Sequence, residues 1–386
     1  MNKHIRNLFL EKFHLQPNRL YFAPGRVNII GEHTDYNGGL VMPFCLDKGI
    51  YAAVCKNDDF VINIYSENFS LHGIISLDLN EIEFKRLNNY GDYLLGVIKE
   101  LQSMNLVIKS GINIALSSNL PVGGGLSSSA ALTVLLLKIF NDEYDFKLKD
   151  LEIVEIAKAV ENNYLGVNCG IMDQFVIVFG KNDKTVFLDT KTLEYELIPL
   201  NFNDYNFVLI NSNISRKLIT SKYNERQKET QTALKELQKH FYIEDLSEIP
   251  FDMLDKALNL LKDEKLRRRV KHVITENERV KKVKSVLLTK QLEKLGPILT
   301  EAHYSLKDDY EVSTEVIDEL VEMALKSGSL GSRMIGGGFG GSTLNIVLKA
   351  NFDGFIRDFQ DLYQNKYEKP FVYSIVYAKD GIKEID

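Results

Sequence analysis

The chain has 386 residues, of which 45% are hydrophobic and 26% charged, a balance typical of a globular protein with one large or two ordinary domains. Its net charge of −6 argues mildly against a nucleic-acid partner, although a local basic site can still hold a nucleotide. Three cysteines without metal-ligand spacing, no apolar leader and no apolar run of membrane-spanning length predict a cytoplasmic protein with reduced thiols and no membrane partner.

The first informative stretch is residues 19–39. Short apolar runs flank Pro24-Gly25, which predicts two strands that meet at a turn. After Gly31 come Glu32, His33 and Asp35, which offer several acceptors and a switchable donor, the chemistry that sugar hydroxyls need. The alternative is a solvated polar loop. A zinc site is weakly supported, since the cluster has one histidine and no suitably spaced partner.

Residues 40–80 alternate polar and apolar side chains, for example in 49–54 and 60–65, and predict a meander of strands. Residues 90–104 carry apolar side chains at helical spacing and predict an amphipathic helix.

The glycine-rich loop is Pro121-Val122-Gly123-Gly124-Gly125-Leu126-Ser127-Ser128-Ser129-Ala130-Ala131. It follows a strand pattern at 111–116 and precedes a helix-compatible run at 130–140. Glycines let backbone N–H groups approach a ligand, and a serine-capped helix start attracts anions. The loop lacks the Gly-Lys-Ser/Thr ending of a Walker A motif, so a bound polyphosphate needs Mg²⁺ and charges from elsewhere. The alternative is a Gly/Ser turn that caps a helix.

Residues 149–165 predict a helix whose apolar face includes Glu161. Because an unpaired buried carboxylate is costly, Glu161 should meet a cation. A lysine or arginine is the ordinary partner, and Mg²⁺ is the more specific one.

Asp173 follows a loop bracketed by Gly166 and Gly170, and the apolar run 175–179 predicts a strand after it. A loop-to-strand junction often carries reactive residues, so Asp173 is a candidate general base. It could instead only order the turn.

Beyond residue 182 a new set of strands is predicted at 185–188, 195–198 and 207–211, and Tyr223 opens a long helix. The Lys- and Arg-rich stretch 262–284 includes Arg267-Arg268-Arg269, but interleaved acidic residues favour a solvated helix face over nucleic-acid binding. Residues 331–343 form a second glycine-rich stretch, Gly336-Gly337-Gly338-Phe339-Gly340-Gly341 at its centre, before a strand at 344–348. On its own it predicts a hairpin turn.

Four of these motifs together resemble a known family. Residues 121–131 are similar to the ATP-phosphate loop of the GHMP kinases, named for galactokinase, homoserine kinase, mevalonate kinase and phosphomevalonate kinase. Residues 25–28 with 31–37 resemble the signature of the galactokinase branch, which mevalonate kinases lack. The segments around Asp173 and Phe339 match in the same order, so the resemblance spans most of the chain.

The resemblance implies a sugar 1-kinase that uses ATP and Mg²⁺ to phosphorylate galactose. It implies that Arg26 lies against the transferring phosphoryl group and that Asp173 receives or orients the anomeric proton. The implied sugar-binding residues are Glu32, His33, Thr34, Asp35, Gly170 and Tyr223. The implied nucleotide-binding residues are Ser66, Gly123, Gly124, Gly125, Leu126, Ser127, Ser128 and Ser129, with Ser129 and Glu161 as metal ligands.

The implied fold is α+β, with two domains at residues 1–182 and 183–386, an active site in the cleft between them, and a last strand that returns to the first domain. Residues 371–377 are the candidate for that return. We expect a monomer. A related kinase of N-acetylgalactosamine or arabinose remains an alternative, as does a non-catalytic galactose sensor, but the intact Ser127-Ser128-Ser129-Ala130 string favours an enzyme.

Overall fold

The computed structural model describes residues 1–121, 124–200, 204–214 and 219–386. Its helices are α1 (Asn2–Phe13), α2 (Gly91–Ser103), α3 (Ser128–Tyr144), α4 (Asp150–Ala159), α5 (Met172–Phe179), α6 (Ile219–Leu237), α7 (Leu254–Leu260), α8 (Glu264–Thr289), α9 (Leu295–Tyr304), α10 (Glu315–Lys326) and α11 (Phe352–Gln364). Its strands are β1 (Arg19–Asn28), β2 (Leu40–Val41), β3 (Pro43–Lys56), β4 (Val61–Ser66), β5 (Ile74–Asp78), β6 (Ile112–Ser118), β7 (Lys184–Asp189), β8 (Tyr195–Pro199), β9 (Tyr205–Asn211), β10 (Gly331–Met334), β11 (Ser342–Leu348), β12 (Tyr373–Val376) and β13 (Lys383–Ile385).

The N-terminal half is built on a six-stranded sheet in the order β13-β1-β3-β6-β4-β5. Its strand pairs are antiparallel except β4 with β6, which run parallel. Because side chains alternate between the two faces of a strand, Ala53 and Ala115 pack under α1 while Ala52 and Ile114 enter the larger core with α2 to α5. Helices therefore cover both faces of the sheet.

The predicted meander of residues 40–80 is wrong in its strand order. β3 and β4 are consecutive in sequence, but β6 lies between them in the sheet. Local alternation identifies a strand and does not identify its neighbour, since non-local burial decides the pairing. The central place of β6 brings the glycine-rich loop that follows it to the middle of the sheet edge.

The predicted turn at Pro24-Gly25 is also wrong, because both residues lie inside the continuous strand β1. The pairing of β1 with β3 shifts by two residues between Pro24 and Arg26, as in a β-bulge. A Cβ on Gly25 would lie 2.7 Å from the carbonyl oxygen of Leu126. Glycine is therefore needed at position 25 so that the glycine-rich loop can pack directly on the strand.

The predicted strand at 175–179 is wrong as well, since these residues form most of helix α5. Phe175 and Phe179, four residues apart, stack with ring centroids 4.4 Å apart. By its pattern, a short apolar run fits a strand or a buried helix equally well. Here the run packs on α3 and α4 as a helix. Asp173 consequently lies in the first turn of a helix.

The C-terminal half contains an antiparallel sheet in the order β10-β11-β9-β12 and a second apolar core. Strands β7 and β8 form a smaller sheet with β2 of the N-terminal half. Residues 373–376, within the stretch expected to return to the first domain, pair with β9 instead. The return is made by β13, which pairs with β1.

The Lys- and Arg-rich stretch 262–284 falls in α8. Arg267 lies at the surface beside Glu264, as expected of a solvated face. Arg269, however, is fully buried and pairs with Glu229 and Glu311, so this part of the prediction is corrected. Among the residues described, no helix combines the length and the apolar character needed to cross a membrane.

Candidate active site

A cavity of about 160 Å³ lies where β1, the glycine-rich loop, α5 and the loop between β10 and β11 approach one another. Its walls include many of the residues singled out in the sequence: Arg26, Glu32, His33, Asp35, Gly125, Ser127, Ser129, Glu161, Gly170, Asp173 and Tyr223. These residues come from stretches far apart in the chain, so the cavity is a product of the tertiary fold.

At one side of the cavity, Arg26 and Asp173 form a two-pronged ion pair. Arg26 Nε lies 2.7 Å from Asp173 Oδ1, and Arg26 Nη2 lies 2.9 Å from Oδ2. Arg26 Nη1 also donates to the carbonyl oxygen of Gly125 at 2.7 Å. Burial alone would lower the pKa of Arg26, but the adjacent Asp173 carboxylate more than offsets this and raises it. A fixed positive charge thus joins the Asp173 carboxylate to the glycine-rich loop.

The glycine-rich loop enters α3 with Ser127 in the left-handed region (φ 56°), and the hydroxyl of Ser127 donates to Asp173 Oδ2. The carbonyl oxygen of Leu126 accepts from the backbone N–H of Arg26 at 3.1 Å. The carbonyl oxygen of Gly124 accepts from Ser342 Oγ at 3.0 Å. Gly123, an expected phosphate-binding residue, lies outside the described part of the chain.

Glu161 is buried in the π-helical turn Val160–Tyr164 that follows α4. Gln174 Nε2 donates to its Oε1 at 3.1 Å, and Ser129 Oγ lies 3.5 Å from its Oε2. The sequence led us to expect a lysine or arginine as the ordinary partner of Glu161. Among the ion pairs of the described residues, none involves Glu161. Burial, and next the nearby Asp173 charge, raise the pKa of Glu161 to about 7.

A buried carboxylate beside a serine hydroxyl, without a cationic side chain, fits a Mg²⁺ ion that takes one protein carboxylate and completes its shell with phosphate oxygens and water. The described residues hold no cluster of three or more His, Cys, Asp or Glu side chains able to bind a metal. A metal at Glu161 and Ser129 would therefore depend on a nucleotide and water for most of its ligands.

On the opposite wall, Glu32 is buried and both of its carboxylate oxygens have hydrogen-bond partners. Its Oε2 lies 2.6 Å from Arg333 Nη2 and accepts from Asn28 Nδ2 at 2.5 Å. Its Oε1 accepts from the backbone N–H of Gly336 at 2.9 Å. Glu32 thus connects the first signature, residues 25–28 with 31–37, to the second glycine-rich stretch.

His33, with φ 63°, places its ring between the first signature and Tyr223. Its Nδ1 lies 2.7 Å from the hydroxyl of Tyr36, while its buried Nε2 has no hydrogen-bond partner. Burial lowers the pKa of His33 well below its usual range, so the ring is neutral near pH 7. A neutral imidazole with a free nitrogen in a cavity suits a hydroxyl-bearing ligand.

Asp35 and Gly170 are in direct contact. A Cβ added to Gly170 would lie 2.2 Å from Asp35 Oδ2, so only glycine allows the loop before α5 to close on the carboxylate. Burial, and next the charge of Asp173, raise the pKa of Asp35 to about 7.

Five expected site residues that the structure describes lie outside this cavity, and two of them are Gly124 and Leu126 of the glycine-rich loop. Thr34 does not line the cavity, because its hydroxyl donates to the carbonyl oxygens of Gly31 and Leu40 and so stabilises its own loop. Ser66 and Ser128 line a neighbouring cavity of about 780 Å³, which shares Ser129 and Glu161 with the first. The two cavities therefore meet at the proposed metal ligands.

Sequence reasoning missed two groups. Arg333 lies within the second glycine-rich stretch, which predicted only a hairpin turn, yet it is fully buried and pairs with Glu32. Tyr310 lies in none of the motifs that the sequence analysis identified, yet its ring packs 4.8 Å from that of His33. A charged Arg333 among glycines is a local signal of a functional residue. The sequence around Tyr310 contains no such signal.

Three family models match the chain. The "Galactokinase galactose-binding signature" matches residues 7–56, the "GHMP kinases N terminal domain" matches 92–181, and "GHMP kinases C terminal" matches 283–361. The first covers Arg26 and the cluster from Glu32 to Asp35. The second covers the glycine-rich loop, Glu161 and Asp173.

Similar proteins extend over nearly the whole chain. The galactokinase of Clostridium perfringens strain 13 is 41% identical over 370 residues, covering 95% of this chain and 96% of that protein. A galactokinase of Streptococcus thermophilus is 41% identical over 371 residues, covering 96% and 95%. The structure of Lactococcus lactis galactokinase complexed with galactose matches all of both chains with a TM-score of 0.96 and 37% identity. Methanococcus jannaschii mevalonate kinase, with a TM-score of 0.65, 20% identity and coverage of 94% and 98%, shares the fold.

Proposed function

The chain belongs to the galactokinase family of the GHMP kinases, and on that premise we propose that it transfers the terminal phosphoryl group of ATP to the anomeric hydroxyl of galactose. The observation that carries the proposal is the Arg26–Asp173 pair, which lies between the cavity walled by Glu32, His33 and Asp35 and the glycine-rich loop. A hydroxyl acceptor and a phosphoryl donor can meet only at such a point.

The sugar occupies the smaller cavity. His33 Nε2 and the Asp35 carboxylate hydrogen-bond to its hydroxyls, and Tyr223 packs beside them. Glu32 is already held by Arg333 and Gly336, so it shapes the wall and can accept from a hydroxyl only with its remaining lone pairs. In this proposed arrangement, the anomeric hydroxyl would face Asp173.

The nucleotide occupies the larger cavity near Ser66 and Ser128, with its phosphates at the start of α3. The α3 N-terminus and the loop amides favour negative charge there. Ser129 and Glu161 would hold Mg²⁺, which when bound neutralises charge on the nucleotide phosphates. Gln174 orients the Glu161 carboxylate through its 3.1 Å hydrogen bond.

In the transfer step, the anomeric oxygen forms a bond to the γ-phosphorus while the bond from that phosphorus to the β,γ-bridging oxygen breaks and ADP leaves. Asp173 orients the attacking hydroxyl and receives its proton. Arg26, held by Asp173 and the Gly125 carbonyl oxygen, balances the negative charge of the moving group. Phosphoryl transfer relies mainly on such positioning and electrostatics.

Steady-state kinetics on a sugar panel test the proposal. The protein should phosphorylate galactose with a higher kcat/KM than N-acetylgalactosamine or arabinose, and a galactose 1-phosphate product should accumulate in step with ADP. Faster turnover of either rival sugar would reassign the substrate. Galactose binding without any phosphorylation would identify a sensor instead of an enzyme.

A further inference from the structure

The imidazole of His33 lies at the end of a buried chain of hydroxyl groups. Tyr36 Oη is 2.7 Å from His33 Nδ1, and Tyr310 Oη is 2.9 Å from Tyr36 Oη. Tyr36 and Tyr223 line the other sides of the imidazole. Tyr310 is fully buried and does not line the sugar cavity, so it acts on the site only through other residues.

The position of Tyr310 is held from the C-terminal half. It directly follows the π-helical turn Ser305–Asp309. Its ring packs 4.5 Å from the ring of His272 and lies 5.9 Å from the guanidinium carbon of Arg269. Arg269 is itself tied to Glu229 and Glu311, so the Tyr310 hydroxyl has little freedom to move away from Tyr36.

The two hydrogen bonds restrict where the protons are. If Tyr310 donates to Tyr36 and Tyr36 donates to His33 Nδ1, each hydroxyl proton has an acceptor, and the imidazole proton must be on Nε2. If the chain runs the other way, His33 Nδ1 donates to Tyr36 and Tyr36 donates to Tyr310. The Tyr310 proton then has to turn to the nearby side chains of Asn37 or Thr230, neither of which offers the 2.9 Å bond that Tyr36 does. The poorer geometry of that buried hydrogen bond disfavours this second arrangement.

We propose that Tyr310, acting through Tyr36, fixes the His33 tautomer so that Nε2–H points into the sugar cavity as a hydrogen-bond donor. The partnerless Nε2 is the atom that this arrangement presents to the ligand. Tyr310 is therefore a positioning residue for sugar recognition that touches neither substrate. The proposal rests on the proposed function for its ligand, galactose, but the tautomer itself is a property of the free protein.

The substitution Tyr310→Phe removes the first donor and keeps the ring. We expect the KM for galactose to rise about three- to tenfold, the range for the loss of one hydrogen bond. The KM for ATP and kcat should stay within about twofold of wild type. Tyr304→Phe, a half-exposed tyrosine six positions away, is the matched control and should change none of these values.

The tautomer of His33 can be measured by NMR in the absence of any catalysed reaction. In protein with ¹⁵N-labelled histidine, two-bond ¹⁵N–¹H couplings should place the proton of His33 on Nε2, and Tyr310→Phe should shift population towards Nδ1–H. The His33→Gln spectrum identifies the resonances. This measurement remains informative even if galactose proves not to be the substrate.

Two outcomes overturn the proposal. A wild-type proton on Nδ1 would mean that the chain runs in reverse, with Tyr310 donating to a neighbour such as Thr230. A Tyr310→Phe variant with unchanged galactose KM and unchanged tautomer would show that the tyrosine only fills space. An equal rise of both KM values together with a lower Tm would assign Tyr310 a structural role and would also count against the proposal.

Discussion

Asp173 is held by Arg26 on both carboxylate oxygens and lies in the first turn of α5. The two hydrogen bonds from the guanidinium fix the orientation of the carboxylate. Replacing it by asparagine keeps the shape but removes the proton acceptor.

We therefore predict that Asp173→Asn lowers kcat by about 10²–10⁴, the usual contribution of a positioned base, and leaves the KM for galactose and for ATP within a few-fold of wild type. Initial rates and isothermal titration with each substrate check this. Asp183→Asn is the matched control, since Asp183 is exposed and has a left-handed φ of 55° that asparagine also tolerates. Turnover of Asp173→Asn near the wild-type value would leave Asp173 with an ordering role only.

Glu161 has a pKa raised to about 7 because it is buried and lies near Asp173. Below pH 7 the carboxylate takes up a proton, and a metal ion must then compete with that proton.

We predict that the Mg²⁺ concentration giving half-maximal activity increases as the pH falls from 8 to 6, approaching tenfold per pH unit in the lower part of this range. The substitution Glu161→Gln should raise the Mg²⁺ requirement at pH 8 and flatten its pH dependence. Activity titrated with Mg²⁺ at fixed ATP in both proteins measures this. An unchanged metal requirement in Glu161→Gln would remove Glu161 from the proposed metal site.

At the scale of elements, the loop that leads into α5 decides how closely Asp35 can approach the Arg26–Asp173 pair. Gly170 has no room for a side chain, because its Cβ would overlap the Asp35 carboxylate at 2.2 Å. The loop therefore packs directly against the segment that carries Asp35.

We predict that Gly170→Ala raises the KM for galactose at least tenfold by displacing Asp35, with a smaller effect on the KM for ATP. Gly354→Ala is the control, since Gly354 lies in α11 and its nearest added contact would be 3.9 Å away. Alanine should stabilise that helix by about 0.5–1 kcal/mol. Equal losses for both substrates in Gly170→Ala would indicate general damage to the fold.

At the scale of the whole molecule, the sugar cavity is closed by parts of both halves. Glu32 from the first signature pairs with Arg333 on β10, and Gly336 donates to the same carboxylate. Tyr223 of α6 packs beside His33. A ligand that contacts these walls binds the folded chain and not the unfolded one.

Galactose should accordingly stabilise the protein by about 2.7 kcal/mol at a concentration 100 times its Kd. Thermal unfolding with increasing galactose should show a rising Tm. Asp35→Ala, which removes a proposed sugar ligand, should shift the response to higher galactose concentrations. A Tm independent of galactose would argue against a sugar site in this cavity.

Several elements were predictable because their causes are local. The alternation at 111–116 and the apolar spacing at 90–104 identified β6 and α2, and glycine and serine chemistry identified the loop into α3. Glu161 was predicted to be a buried carboxylate because it is a charged residue on an otherwise apolar helix face. In each case, the signal depends on residues within a few turns of chain.

The sequence by itself determined the family, the order of the motifs and most of the strands and helices, since these depend on side-chain type and spacing. The tertiary structure alone decided that Pro24-Gly25 continues a strand, that β6 separates β3 from β4, and that residues 175–179 form a helix. It alone joined Arg333 to Glu32 and Tyr310 to His33 through Tyr36. Burial and pairing between distant segments decide such features, so they cannot be predicted from local sequence patterns.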